Sequence, residues 1–114
     1  MSRRIERVSE LIRREIAMIV AREVSVKGVL ITITRIEISP DLQYGNVYFT
    51  TIPGEAAERA LAQFTQQIVS IQQILNKRLQ MRPVPKIRFL IDEEEQEAVK
   101  IDEIIHLIDE ESHK

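Results

Sequence analysis

The run from Val29 to Thr51 constrains this chain more than any other stretch. Two segments rich in β-branched residues, Val29 to Ile38 and Tyr44 to Thr51, flank the polar sequence Ser39-Pro40-Asp41. β-Branched side chains fit a pleated, half-buried surface. Ser and Asp side chains bond to nearby backbone, and Pro presets a turn dihedral. The stretch therefore predicts an antiparallel hairpin. In its first strand Val29, Ile31 and Ile33 share one face, whereas Ile36 and Ile38 fall out of phase with them. A two-residue period slips only through an extra residue, which predicts a β-bulge near Thr34-Arg35. In the second strand Val47 and Phe49 are the inward positions.

Helical periodicity brackets this hairpin. Ile5, Val8, Ile12, Ile16 and Ile19 recur at steps of three and four, predicting a helix over 3–23 with Ser2 as its N-cap. Beyond Pro53-Gly54, a stripe of Ala57, Ala60, Leu61, Phe64 and Ile68 continues through Ile71, Ile74, Leu75 and Leu79. That pattern fits one long helix or two joined near Val69-Ser70. Pro83 and Pro85 end it, because proline lacks the N–H a helix needs. Lys86 to Ile91 reads as a third strand, with Ile87, Phe89 and Ile91 inward and Lys86 and Arg88 outward. Ile101, Ile104, Ile105 and Ile108 predict a short helix between Val99 and Glu111.

The expected fold is α+β in two layers, a three-stranded sheet with helices on one face. The order αββααβ is that of a type II KH domain, a nucleic-acid-binding scaffold, here with a C-terminal helix added. Residues 1–91 are expected to form this domain and residues 92–114 an acidic tail.

Charge divides along the same line. The 114 residues carry a formal net charge of −2. Residues 1–91 hold 14 Lys and Arg against 8 Asp and Glu, a net of +6, whereas residues 92–114 hold 2 against 10, a net of −8. A basic body with an acidic tail points to a polyanionic partner. The chain has no cysteine, which excludes disulfides and thiolate metal sites. No signal peptide or membrane span is visible, the lack of cysteine suits the cytoplasm, and a monomer is expected.

The basic constellation is the leading functional feature. Arg3, Arg4, Arg7 and Arg14 lie on the first helix, Lys77, Arg78 and Arg82 at the end of the last helix before the third strand, and Lys86 and Arg88 on that strand's outer side. Such side chains bind phosphate oxygens in a salt-sensitive, sequence-independent way. For any single Arg a solvated surface is the better account; the clustering from Lys77 to Arg88 favours function. Tyr44 and Tyr48 are the only tyrosines and there is no tryptophan, which favours recognition of RNA shape and backbone over single bases.

The acidic run from Asp92 to Glu97 lacks calcium-loop spacing and reads as a solvated charged segment; a second hypothesis is that the tail, residues 92–114, screens the basic face against non-specific RNA. His106 and His113 lie in the tail beside no nucleophile, and no serine sits in an elbow motif. The chain is therefore expected not to be an enzyme and to need no cofactor or metal.

Three blocks carry a family resemblance. They are Arg4, Arg7-Val8, Ile12, Glu15-Ile16 and Ile19; then Ser39-Pro40-Asp41-Leu42-Gln43-Tyr44-Gly45-Asn46-Val47-Tyr48-Phe49; then Arg82-Pro83-Val84-Pro85-Lys86-Ile87-Arg88-Phe89. In this order, over residues 2–92, they resemble bacterial ribosome-binding factor A. The resemblance implies an assembly factor that binds the free or immature 30S subunit through 16S rRNA, assists late 5′-end processing and serves growth in the cold. It also implies an Ala-x-Gly helix kink in place of the KH Gly-x-x-Gly loop. Here the aligned residues are Gln67-Ile68-Val69, so any kink must rest on Val69 and Ser70. A protein–protein adaptor and a general RNA chaperone are the alternatives.

Overall fold

A computed structural model of the chain describes residues 3–112. Ser2 and His113 lie outside them. The elements are α1 (Arg3–Glu23), β1 (Leu30–Ile38), β2 (Tyr44–Ile52), a 3-10 turn (Gly54–Ala56), α2 (Ala57–Gln66), α3 (Ile68–Arg78), β3 (Lys86–Ile91) and α4 (Glu93–Ser112). The sheet order is β1-β2-β3. β1 runs antiparallel to β2, and β3 runs parallel to it. The parallel pairing needs the crossover that α2 and α3 supply.

The bulge falls where the broken alternation places it. The register shifts between Ile33 and Arg35, so Ile33 opposes Phe49 and Arg35 opposes Tyr48. Ile31, Ile33, Ile36 and Ile38 all join the core as a result. The hairpin turn is closed by side chains. The Ser39 hydroxyl donates to Asp41 at 2.6 Å and accepts from the Tyr44 amide at 2.9 Å. Asp41 also accepts from the Gln43 amide at 3.1 Å. These bonds hold Leu42 at φ 62°, a left-handed conformation that a non-glycine residue adopts only where neighbours enforce it.

Helices α1, α2 and α3 cover one face of the sheet. Ile12, Ile16 and Ile19 of α1 meet Ile71 and Leu75 of α3 and Val47 and Phe49 of β2 in a single core. The chain's three phenylalanines gather there. Phe64 stacks on Phe89 with ring centroids 4.2 Å apart and meets Phe49 edge-on at 4.8 Å. Such pairs add about 0.5–1.5 kcal/mol each beyond burial. Gly45 faces this core, and a Cβ there would lie 3.0 Å from Ile38 Cδ1.

The break between α2 and α3 lies at Gln67, not at Val69-Ser70. Gln67 has φ −100° and ψ 8°, and its amide is shared between the carbonyls of Gln63 and Phe64. Val69 and Ser70 are exposed inside α3. Burial of Ile68 and Ile71 fixes the orientation of α3, and neither β-branching nor a hydroxyl is needed to turn the chain.

The tail differs most from expectation. The acidic run is the first turns of α4, a helix of 20 residues. Asp92 is buried directly before it and accepts from the Glu95 amide at 3.3 Å, as an N-cap does. Glu93, Glu94 and Glu95 occupy the first turn, where the helix dipole favours negative charge. Gln96 then binds β2 twice: its Oε1 accepts from the Thr51 amide and its Nε2 donates to the Thr51 carbonyl, both at 2.9 Å.

Candidate nucleic-acid interface

The fold gathers most of the expected basic residues at one end. α1 runs antiparallel to β1: Ile5 and Ser9 line a cleft with Ile36 and Ile38, while Val20 and Val24 line another with Leu30 and Ile31. The N-terminal half of α1 thus lies at the end of the sheet where β1 stops and β2 and β3 start. Arg3, Arg7 and Arg14 share its outward stripe by helical spacing, and Arg4 is also exposed. Glu15 forms an ion pair with Arg78, which brings the basic last turn of α3, Lys77 and Arg78, against α1.

The link from α3 to β3 continues the basic surface. Arg82 donates to the carbonyls of Leu79 at 2.9 Å and Met81 at 2.6 Å. A cation there complements the negative end of the α3 dipole. Gln72 fixes the start of β3. Its Nε2 donates to the Pro85 carbonyl at 3.1 Å, and its Oε1 accepts from the Ile87 amide at 2.9 Å. Lys86 is held between these two points, and its own amide donates to the Gln43 carbonyl at 2.8 Å. Lys77 and Lys86 make no ion pair with any described residue, so their charge is open to an outside anion.

Lys86 and Arg88 leave the helical layer and stand on the open face of the sheet. Alternation puts Tyr44, Asn46 and Tyr48 of β2 on that face, with Tyr44 opposite Lys86 and Asn46 opposite Arg88. Arg88 Nε donates to Asn46 Oδ1 at 2.7 Å. From β1, Arg35 lies 3.8 Å over the Tyr48 ring centroid, and the Tyr48 hydroxyl donates to Glu37 at 2.6 Å. Sequence reasoning left Arg35 out, because only the bulge tells which face it takes. The broken alternation was the available signal.

The two sides of this face differ in electrostatics. On the β1 side charges are matched. Glu37 is held below its usual carboxylate range, first by the Tyr48 hydroxyl and then by Arg35, against the opposing effect of burial. Tyr48 is pushed up by the same bond, and by burial. Burial pushes Asp92 up, but the Thr34 hydroxyl at 2.6 Å, the Glu95 amide and the Arg35 guanidinium outweigh it and hold the carboxyl below its ordinary value. Arg35 is therefore occupied by two carboxylates and a ring. The β3 side is the one with unmatched cation.

Among the described residues no group of three or more His, Asp or Glu could hold a metal ion. No described helix is long and apolar enough to cross a membrane.

The element order, the sheet order and the parallel third strand define a type II KH-like domain. Comparison narrows this class to one family. The profile described as Ribosome-binding factor A matches residues 4–105. A protein of that name from Thiobacillus denitrificans is 34% identical over 104 residues, covering 90% of this chain and 84% of its own. One from Magnetococcus marinus is 33% identical over 111 residues, covering 93% and 89%. The crystal structure of ribosome-binding factor A from Thermus thermophilus superposes with a TM-score of 0.68 at 22% identity, over 76% of this chain and 94% of that one. A Thermus thermophilus homology model fitted into the cryo-EM map of a 30S complex gives 0.60 at 23% identity, over 72% and 88%. The chain belongs to the ribosome-binding factor A family. The family match includes the first half of α4.

Proposed function

We propose that this chain binds the free or immature 30S subunit through 16S rRNA, in the cytoplasm and as a monomer, and that it acts by binding and not by turnover. The observation that carries the reading is the basic end where α1, α3 and β3 meet, with Arg3, Arg4, Arg7, Lys77, Arg78, Arg82 and Lys86, and with Arg14 and Arg88 extending it along α1 and onto the open sheet face. Family membership and the 30S complex of the Thermus relative support the choice of partner. Late processing of the rRNA 5′ end and maturation in the cold are the finer parts of this reading. A rigid face that favours one rRNA conformation shifts that equilibrium by its differential affinity for the two states.

Co-sedimentation with purified small subunits, large subunits and joined ribosomes across a salt series tests this. Selective pelleting with small subunits, weakening as salt rises, is expected. Equal binding to every RNA would reduce the chain to a general RNA binder. A second reading has its own observation. Ile101, Ile104, Ile105, Leu107 and Ile108 of α4 are all exposed, an apolar surface of the kind a protein partner covers. Under that reading α4 is an adaptor surface added to the RNA-binding domain.

A further inference from the structure

We infer that the open sheet face holds a stacking site for an unpaired base, with Tyr44 as the platform and Lys86 and Arg88 as the adjoining phosphate contacts. This rests on the RNA-binding reading and adds a ligand element, a single-stranded nucleotide, to the expectation of shape recognition. The two tyrosines are placed unequally. Tyr48 is committed: Arg35 covers its ring and Glu37 takes its hydroxyl proton. Tyr44 is 59% exposed and makes no hydrogen bond or ring contact through its side chain with any described residue.

Its backbone is fixed all the same. Its amide donates to the Ser39 hydroxyl, and its carbonyl accepts from the Ser39 amide at 2.8 Å. With the backbone fixed, only the two side-chain torsions of the tyrosine remain to be ordered when a base settles on the ring, a small entropy cost. Beside it in register stands Lys86, whose ammonium makes no described ion pair, and one step on stands Arg88, steadied by Asn46. These residues line one shallow groove. An exposed aromatic beside cations along a strand is the arrangement that binds single strands, where the ring takes the base and the cations follow the backbone. A fully paired helix keeps its bases stacked inside, so the site requires an unpaired nucleotide.

The chain reports on this site directly, because it has two tyrosines and no tryptophan. In the full-length Tyr48→Phe protein, Tyr44 is the only fluorophore of that type. Titration with unlabelled oligouridylate should quench its emission to saturation, while an abasic oligomer of equal length should bind more weakly and leave emission unchanged. Tyr44→Ala should weaken oligouridylate binding, read by mobility shift, by ~5- to 100-fold without changing the salt slope. Tyr44→Phe, which keeps the ring, should recover it. Lys86→Glu should lower affinity and salt slope together. Unquenched emission while oligouridylate is bound, or Tyr44→Ala binding as well as the parent, would overturn the stacking site. So would absence of any oligouridylate binding. In each of these cases salt-sensitive pelleting with small subunits would keep the broader reading intact, and its loss would end that reading separately.

Discussion

Helices α1 and α4 are close to equal in length, 21 and 20 residues, and each carries an isoleucine stripe at helical spacing. Their fates are opposite. Ile12 and Ile16 of α1 are 0% exposed, whereas Ile101, Ile105 and Ile108 of α4 are more than half exposed. Periodicity reports that a segment is an amphipathic helix; it does not report whether the apolar side meets a partner inside the chain. α1 lies across β1 and beside α3, so its stripe closes the core. Among the described residues α4 is tied to the domain along its first half, by Asp92 directly before it, by Gln96 and by Glu103 on the Gly54 amide at 3.1 Å, and those ties leave the isoleucine side free.

The largest test of this contrast is truncation on the two stripes. Ile16→Ala should cost about 2–5 kcal/mol through lost burial and a residual cavity. Ile104→Ala and Ile108→Ala should each change stability by less than about 0.5 kcal/mol. Urea unfolding followed by circular dichroism reads both, and equal losses on the two helices would mean that α4 is covered in solution. Next in size is Gln96→Ala, which strips the partners from the amide and carbonyl of fully buried Thr51. About 1–3 kcal/mol is expected, in the same experiment. A loss under a few tenths would show that water replaces the carboxamide.

A smaller effect follows from Asp92. Its folded-state carboxyl lies below its ordinary value, so the folded protein binds fewer protons there than the unfolded chain. The stability this gives is fully present above the unfolded value of about 3.9 and is lost as pH falls through the lower folded value. Asp92→Asn should therefore be less stable than the parent near neutral pH, with the gap closing under acid. A gap independent of pH between 2 and 7 would contradict it. Smallest of all, reversing Arg78, Arg82 and Lys86 together should cost at most about 1 kcal/mol beyond the Glu15 ion pair, since exposed ion pairs contribute little, while abolishing pelleting with small subunits. Undiminished pelleting would move the interface off this end of the domain.

Much of the fold was legible because local rules and the tertiary structure agree. The bulge followed from Ile33 and Ile36 lying out of phase, and the turn from Ser39 and Asp41. The helix joint was misplaced by a few residues because Val69 and Ser70 carry local signals, whereas the break at Gln67 follows from which side of each helix the core demands. Glu93, Glu94 and Glu95 are solvated as read, but the extent of the tail helix was underestimated, because its start depends on buried Asp92, which Thr34 and Arg35 of β1 hold in place. The basic cluster was legible as composition. Its division between the helical end and the open sheet face, and the place of Tyr44 beside Lys86, needed the register of β3 against β2.

Two glutamines have a consequence beyond stability. The carboxamides of Gln72 and Gln96 each act as a substitute peptide group, one on the free side of β3 and one where β2 outruns β3. Unpaired strand edges are templates for pairing with other chains. The two side chains fill those positions with no added strand, so at these two points the backbone is already taken. Loss of both would leave the native contacts of the core in place and yet lengthen the unpaired backbone on the β3 side of the sheet, a change that appears as a greater tendency to concentration-dependent precipitation.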